Sequence, residues 1–369
     1  MKAIKVGNSI RVAIPSDILR ETSIKVGDIL LMDYDARAKQ ITKYKRGSLI
    51  PKSDKKGGSR LAEIALSLPK MRRISAEEYG RFLQSHSYVT IEDQKVELVK
   101  GWKIEKYAPE SFHPEAWTVW SFEERGDWAT HKGNYRGNWS PFIPRNLIER
   151  YTKKGDTVCD PMVGSGTSLV ECKLLGRKGI GVDVNENAAM IAMNRLDFTF
   201  HTLDQDHAGP EVSVYVGDAR NLDTIGDGTV DLVVTHPPYW GIIPYSKASI
   251  PGDLSALKFD DFMQEIGKVA RECYRILRPD GHCGILIGDT RRHKHYVPIN
   301  VGVLGRFLDA GFILREDIIK LQHNTKMSRE RWNGSNYDFY KIAHEHLFVF
   351  RKPSNGEELS DFGRSLKWW

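Results

Sequence analysis

Three carboxylates and one proline-stiffened turn are the residues of this chain whose types and spacing could do chemistry. Asp160, Asp183 and Asp218 each follow a short apolar run, in Thr157-Val158-Cys159-Asp160, Gly179-Ile180-Gly181-Val182-Asp183 and Val216-Gly217-Asp218. After the first of them come Pro161, Gly164, Ser165, Gly166 and Thr167, and then a helix-like stretch. Glycines between a strand and a helix let backbone approach a ligand closely, and a helix N-terminus offers unpaired N–H groups. Asp183 is placed to accept from ribose hydroxyls and Asp218 from an adenine amine, so the set describes an adenosine-shaped site. A phosphate-binding P-loop is excluded, because Thr167 rather than Lys follows Gly166. A dinucleotide would satisfy the same residues, and on these features alone it stays open.

The stretch Thr235-His236-Pro237-Pro238-Tyr239-Trp240 separates the two. Its prolines have no N–H and fix a stiff turn, leaving the His236 ring and the Pro237 carbonyl as acceptors. Tyr239 adds a planar face. A flat heterocycle bearing an exocyclic amine fits that arrangement. None of the four cysteines follows a proline, which excludes the thiolate chemistry of cytosine-C5 methylation.

The 235–240 stretch resembles the catalytic motif of amino-group DNA methyltransferases. The loop 160–167 resembles their S-adenosylmethionine (AdoMet) motif. Gly137-Asn138-Trp139-Ser140-Pro141-Phe142-Ile143-Pro144, followed by Leu147-Ile148, resembles the motif that closes over the methionine end of that cofactor. The likeness covers roughly residues 115–351. It implies that Asn138, Ser140, Pro141, Asp160, Pro161, Gly164, Ser165, Gly166, Thr167, Asp183 and Asp218 bind AdoMet. It implies that His236, Pro237, Pro238 and Tyr239 are catalytic, with Tyr239 stacking on a flipped base. The AdoMet loop precedes the catalytic motif, which is not the β-class order. Met162 stands where Phe is common, and His236 where Asp, Asn or Ser is usual; neither Asp nor Asn is present, so cytosine-N4 is favoured slightly over adenine-N6. Asp289 is a candidate to face the base, and Arg291, Arg292 and Lys294 behind it are candidate phosphate contacts.

The elements that must position these residues alternate strand and helix. Strands are expected at Thr157–Pro161, Lys178–Asp183, Val212–Val216, Asp231–Thr235, Cys283–Gly288, Phe312–Gln322 and His346–Phe350. Helices are expected at Thr167–Leu175, Glu186–Leu196, Phe259–Leu277 and Pro298–Ala310. That is an α/β, Rossmann-like, seven-stranded methyltransferase sheet, closing on an antiparallel pair. Upstream, five of the nine tryptophans fall between Trp102 and Trp139 without a helical or strand period. They read as a pocket wall or a base-stacking surface. His344 and His346 read as structural, and no metal site is expected.

Charge is uneven. The chain carries a formal +6, but residues 1–60 hold fourteen Lys and Arg against six Asp and Glu, so the rest is slightly acidic. A basic N-terminal module suggests a polyanionic partner. Residues 1–46 are β-rich, with a hairpin signal at Gly7-Asn8-Ser9 and a short helix expected after Pro15 capped by Ser16 or Asp17. Through Lys5-Val6-Gly7-Asn8-Ser9, Ile14-Pro15 and Ile24-Lys25-Val26-Gly27-Asp28 the segment resembles AbrB/MazE-type swapped-hairpin DNA-binding domains. That likeness implies a homodimer through residues 1–46, with Lys5 and Arg11 on phosphates.

The expected organisation is that domain, a basic flexible linker over 47–60, a connector over 61–114, a methyltransferase domain over 115–352 and a tail over 353–369. Four cysteines without close pairing, no signal-peptide pattern and no membrane-length apolar run point to a reduced, cytoplasmic protein. Double-stranded DNA is the expected partner, and a cognate restriction endonuclease a candidate one. The competing readings are an RNA base amino-methyltransferase, or an AbrB-type regulator keeping a degenerate, AdoMet-sensing domain.

Overall fold

The computed structural model describes residues 3–6, 9–12, 28–35, 40–48, 50–51, 62–63, 68–91, 93–199, 210–240, 252–323 and 338–367. The chain divides into two units, Met1–Leu68 and Pro69–Trp369. In the first, β1 (Ala3–Val6) pairs antiparallel with β2 (Ser9–Val12) across the expected turn, with Lys5 opposite Ile10 and Arg11 opposite Ile4. β3 (Asp28–Asp35) and β4 (Gln40–Ser48) form a second hairpin. β5 (Ile50–Pro51) pairs with β6 (Ala62–Glu63), so strand extends into the segment expected to begin the flexible linker. The helix expected after Pro15 lies outside the described residues.

The second unit is built on one sheet. Its strands are β7 (Arg72–Arg73), β10 (Val119–Ser121), β11 (Thr157–Asp160), β12 (Lys178–Asp183), β13 (Val212–Val216), β14 (Val230–Thr235), β15 (Leu277–Ile287), β18 (Ile313–Leu321) and β19 (His344–Arg351). They lie in the order β10-β18-β19-β15-β14-β11-β12-β13-β7. β11 to β15 run parallel to one another, while β19 runs antiparallel to both β15 and β18. All seven expected strands are present, but the sheet has nine. The two extra edges are β10, parallel to β18, and β7, antiparallel to β13. β7 has two residues, both exposed, too short to carry a side-chain alternation.

Helices cover the sheet because their sequences give them apolar faces. α1 (Ala76–Ser85) opens on Ser75, whose hydroxyl accepts from the Glu78 N–H. A hairpin of β8 (Tyr88–Ile91) and β9 (Gln94–Glu97) follows, and its Val89, Ile91 and Val96 bury against Ile191. The hairpin is therefore packed onto α4 (Glu186–Leu196). α2 (Phe142–Tyr151) and α3 (Thr167–Leu175) flank β11 and β14. α4 (Glu186–Leu196) is capped by the Asn185 side chain. α5 (Phe259–Ile276) buries Phe262, Ile266, Val269, Ala270 and Cys273 at helical spacing, against a cluster that includes Phe307 of α6 (Ile299–Asp309) and Phe350 of β19. Each such fully buried phenyl contributes about 1.5–3 kcal/mol.

Two glycines permit close approach, one between the start of a helix and the neighbouring helix and one between helix and sheet. Gly166 takes φ +83° at the start of α3, and a Cβ there would come within 3.0 Å of Ala192. At Gly181 a Cβ would meet Leu169 at 2.6 Å and Val163 at 2.8 Å. The tail beyond Lys352 returns to the body: Arg351 pairs with Glu357 at 2.7 Å and lies 5.2 Å from the Phe362 ring.

Candidate active site

A cavity opens at the carboxyl ends of β11, β12, β13 and β14, where open α/β sheets bind ligands. Asn138, Asp160, Pro161, Gly164, Ser165, Thr167, Asp183, Asp218, His236 and Pro238 line it. Three distant stretches of sequence thus meet at one place. Of the other expected cofactor residues, Gly166 forms the left-handed cap beneath the loop. Ser140 and Pro141 are not on the wall: the Ser140 hydroxyl donates to the Arg125 carbonyl at 2.8 Å, and Pro141 begins α2.

The acids differ in their partners. Asp160 is 2 % exposed and accepts from the Ser168 hydroxyl at 2.5 Å and the Met162 N–H at 3.2 Å. Burial pushes its carboxyl up to about 7, against those two bonds. Asp183 accepts from the Gly164 N–H at 2.9 Å and the Asn185 N–H at 2.8 Å, which ties the glycine loop to the end of β12. Burial raises it to about 6. Asp218 is held from two sides by Arg220, whose Nε and Nη2 donate at 2.9 and 2.6 Å. Arg220 in turn reaches Glu265 at 2.5 Å.

The proline turn at the end of β14 presents His236 to the cavity, its ring stacked on Trp139 with centroids 5.8 Å apart and planes 18° apart. The outer surface of the ring is partly open, but Nδ1 is sealed, with the Gly137 backbone alongside and no hydrogen bond of ordinary geometry. Desolvation lowers the imidazole to about 4, with Lys320 acting the same way and Glu345 and Gly137 opposing. Pro237 is buried. Tyr239 does not line the cavity. Its ring packs over Gly288 at the end of β15, where a Cβ would come within 2.8 Å. Its hydroxyl lies 2.7 Å from His236 Nε2 and donates to Glu345 at 2.5 Å.

Glu345 was not singled out in the sequence. It is 6 % exposed on β19, opposite Lys320 of β18, whose ammonium donates to it at 2.8 Å. Burial alone would raise its carboxyl, but Lys320, His236 and Tyr239 together hold it below the ordinary range. Its signal was alternation: residue 345 shares a strand face with the buried Leu347 and Val349. His346, on the other face, pairs with Asp317 at 2.9 Å. Tyr135 and Trp139, of the aromatic segment read as a pocket wall, line the cavity, and Val184, Asn185, Asp253 and Leu254 stand there without having been expected.

The tryptophan-rich segment is mostly core. Trp120, Trp128 and Trp139 are buried, Trp117 is 80 % exposed, and of these Trp139 reaches the cavity. The segment's anchor is Glu171 of α3, fully buried. That carboxylate accepts from Trp128 Nε1 and His131 Nε2 at 2.7 Å each and from Arg145 at 2.9 Å. A buried acid so saturated ties the upstream segment to the helix that follows the glycine loop. Farther out, Asp289 accepts from the Asn300 N–H at 2.8 Å and from the Tyr296 hydroxyl, so it caps α6 rather than facing a base. β16 (Thr290–Arg292) and β17 (His295–Val297) form a hairpin beside it. There Arg292 lies 5.2 Å from the Trp240 ring, Arg291 donates to the Tyr340 carbonyl at 2.7 Å, and Lys294 pairs with Asp338 at 3.2 Å.

A mostly parallel sheet whose last strand in chain order is antiparallel, a glycine loop tied to an acid on the next strand and a proline turn on the same cavity define a methyltransferase-class α/β protein. The chain belongs to the DNA methylase (N6/N4-methyltransferase) family, whose profile matches residues 30–194 and 230–362. Its cofactor is AdoMet. The chain is 37% identical over 89 residues to the Type II methyltransferase M.SfiI of Streptomyces fimbriatus, 24% of this chain and 21% of that one. It is 32% identical over 130 residues to the tRNA (guanine(10)-N2)-dimethyltransferase of Methanothermobacter thermautotrophicus, 35% of this chain and 34% of that one. A putative DNA modification methylase of Thermus thermophilus, solved with S-adenosyl-L-methionine, matches at 27% identity, 38% of this chain and 54% of that one, with a TM-score of 0.28. The chain spans about a fifth of the length of M.SfiI and a third of the tRNA enzyme.

Proposed function

We propose that this chain transfers a methyl group from AdoMet to an exocyclic amino group of a base in duplex DNA, cytosine-N4 in preference to adenine-N6. The observation that carries the reading is one cavity shared by the acids of the cofactor loop and the proline turn of His236. AdoMet fits the residues present: buried Asp160, near neutral pH in its ionisation, suits a cationic ligand, and Asp183 and Asp218 face the same space. When bound it supplies an electrophilic methyl on a sulfonium. The chain's own residues then hold the acceptor amine. That amine is a weak nucleophile because its lone pair is delocalised into the base. His236 and the Pro237 carbonyl, taking its two hydrogens off the ring plane, localise the lone pair for in-line attack. AdoMet held by these residues would supply the methyl, and the amine, oriented by His236 and the Pro237 carbonyl, would release one proton to solvent.

Residues 1–46 we assign to dimerisation and DNA contact, through Lys5 and Arg11, with Arg291, Arg292 and Lys294 near the strand ends. A cognate restriction endonuclease and a cytoplasmic setting go with the Type II relatives; among the described residues no helix is long and apolar enough to cross a membrane. A second reading, methylation of an RNA amino group, draws on the match to the tRNA enzyme. Native sequencing of DNA from a host expressing the chain, beside competition between duplex DNA and structured RNA for labelled methyl, separates the two. A new modified DNA motif is expected. Its absence with AdoMet binding intact refutes the DNA reading, and label confined to RNA establishes the second.

A further inference from the structure

Beyond the proline turn the chain is on the cavity wall again at Gly252, Asp253 and Leu254. Gly252 lies against the acid that follows β13. It takes φ +103°, and a Cβ there would come within 2.8 Å of Asp218 Oδ2 and of the Val184 side chain. Glycine alone lets backbone pass so close in that conformation. Leu254 is buried and gives this part of the wall an apolar face. Asp253 accepts from the N–H and the hydroxyl of Ser255 at 2.9 and 2.7 Å, both through Oδ1. Its charge bears on Asp183, so the two carboxylates stand within electrostatic reach of each other on one cavity.

The donors of an adenosine outnumber what the two expected acids have left to offer. The ligand presents two hydrogens on the adenine amine and two on the ribose hydroxyls, and an ionised carboxylate has about four accepting sites. Arg220 fills three on Asp218, with its backbone N–H and Nε on Oδ1 and its Nη2 on Oδ2. Asp183 takes one backbone N–H on each oxygen. About one site remains on Asp218 and about two on Asp183. Asp160 is engaged at the glycine loop by Ser168 and Met162. The fourth acid on the wall is Asp253.

We propose that Asp253 is a further AdoMet-binding residue, its carboxylate accepting from a ribose hydroxyl beside Asp183, and that Gly252 is what lets this turn close on Asp218. The proposal rests on the cavity being the AdoMet seat, and its choice of the ribose on the place of Asp183. Asp253 also caps the short 3₁₀ turn Leu254–Ala256. A cap needs no carboxylate, since serine serves as well, and that separates the two roles.

Calorimetry of the full chain with S-adenosylhomocysteine, and with its 2′-deoxy and 3′-deoxy forms, reads the contact without any methyl transfer. Asp253→Ser keeps a hydroxyl for the Ser255 N–H and withdraws the carboxylate. It should weaken S-adenosylhomocysteine about tenfold, the order expected for one hydrogen bond to a charged acceptor. One deoxy form should bind the native chain and Asp253→Ser within about twofold of each other, because the hydroxyl that Asp253 takes is missing from it. The other deoxy form should still show the tenfold loss. Gly252→Ala, strained at φ +103° and crowding Asp218, should weaken all three ligands. Asp253→Asn keeps the cap and carries the same comparison if Asp253→Ser does not fold. Equal affinity of the folded Asp253 variant and the native chain for S-adenosylhomocysteine, or one loss common to all three ligands, overturns the role of Asp253 and leaves the AdoMet seat in place. Unchanged affinity in Gly252→Ala overturns the role of Gly252. A native chain that binds none of the three refutes the seat itself, and the proposal falls with it.

Discussion

AdoMet binding is expected to be coupled to the ionisation of Asp160. Its carboxyl is buried at the end of β11 and pushed up to about 7, whereas the same group in water ionises near 4. At 1.36 kcal/mol per factor of ten, holding it ionised costs roughly 4 kcal/mol relative to water. The sign for folding follows. Between about pH 4 and 7 the folded chain keeps a proton that the unfolded chain has lost, so this group's contribution to stability declines as pH rises and levels off above 7. A cation in the cavity favours the ionised form, so binding should expel that proton and tighten as pH rises toward 7. Calorimetric titration with AdoMet in buffers of different ionisation enthalpy counts the protons released. The count attributable to Asp160 should be about half a proton at pH 7, close to one near pH 6 and near zero above pH 8. Asp160→Asn should remove that release and flatten the pH dependence of affinity; the ligand's own amine titrates alike with both proteins and cancels in the difference. Equal proton release from the two proteins would refute the reasoning.

Three further outcomes follow from the same geometry. Glu171→Ala removes the buried acceptor shared by Trp128, His131 and Arg145, leaves Arg145 its pair with Glu149 at 3.2 Å, and should cost about 3 kcal/mol in urea unfolding, against less than about 1 kcal/mol for an exposed pair such as Arg81–Glu77. Gly166→Val places a branched side chain at φ +83° against Ala192, and should weaken AdoMet binding at least tenfold or prevent folding, as read by ligand-induced thermal shift. Methyl transfer should be flat from pH 8 to pH 6 as far as His236 is concerned and be lost only near pH 4, where the imidazole charges; an acid limb at pH 6 to 7 remaining in Asp160→Asn would contradict the desolvated ring.

The strands that hold the cavity could be read because each ends on chemistry: Asp160, Asp183, Asp218 and His236 mark the carboxyl ends of β11 to β14. What escaped was set by register and not by local pattern. Arg72–Arg73 becomes a ninth strand only because β13 offers a free edge, and nothing in two exposed arginines announces it. Leu277 joins β15 six residues ahead of the expected start, since strand follows directly on the end of α5. The histidines flanking Glu345 drew attention to the wrong face of β19, where His346 meets Asp317 at the surface. Asp289 stood at a strand end, as the three acids do, yet serves as the cap of α6. Strand-end position alone does not separate a cavity acid from a capping one, since both kinds accept backbone N–H groups; only the tertiary placement of the first three on one cavity wall does. Glu171, set between Val170 and Cys172 in a helix buried over most of its length, was a buried charge whose sequence context could have betrayed it.

The order of assembly is written into where the walls come from. Every residue lining the cavity falls between Tyr135 and Leu254, whereas Glu345 enters with β19, wedged between β15 and β18 after all the other strands of the sheet have been made. During synthesis every residue of the cavity wall leaves the ribosome before Glu345. A chain cut short ahead of β19 would therefore carry the whole wall and lack the carboxylate that accepts from the Tyr239 hydroxyl.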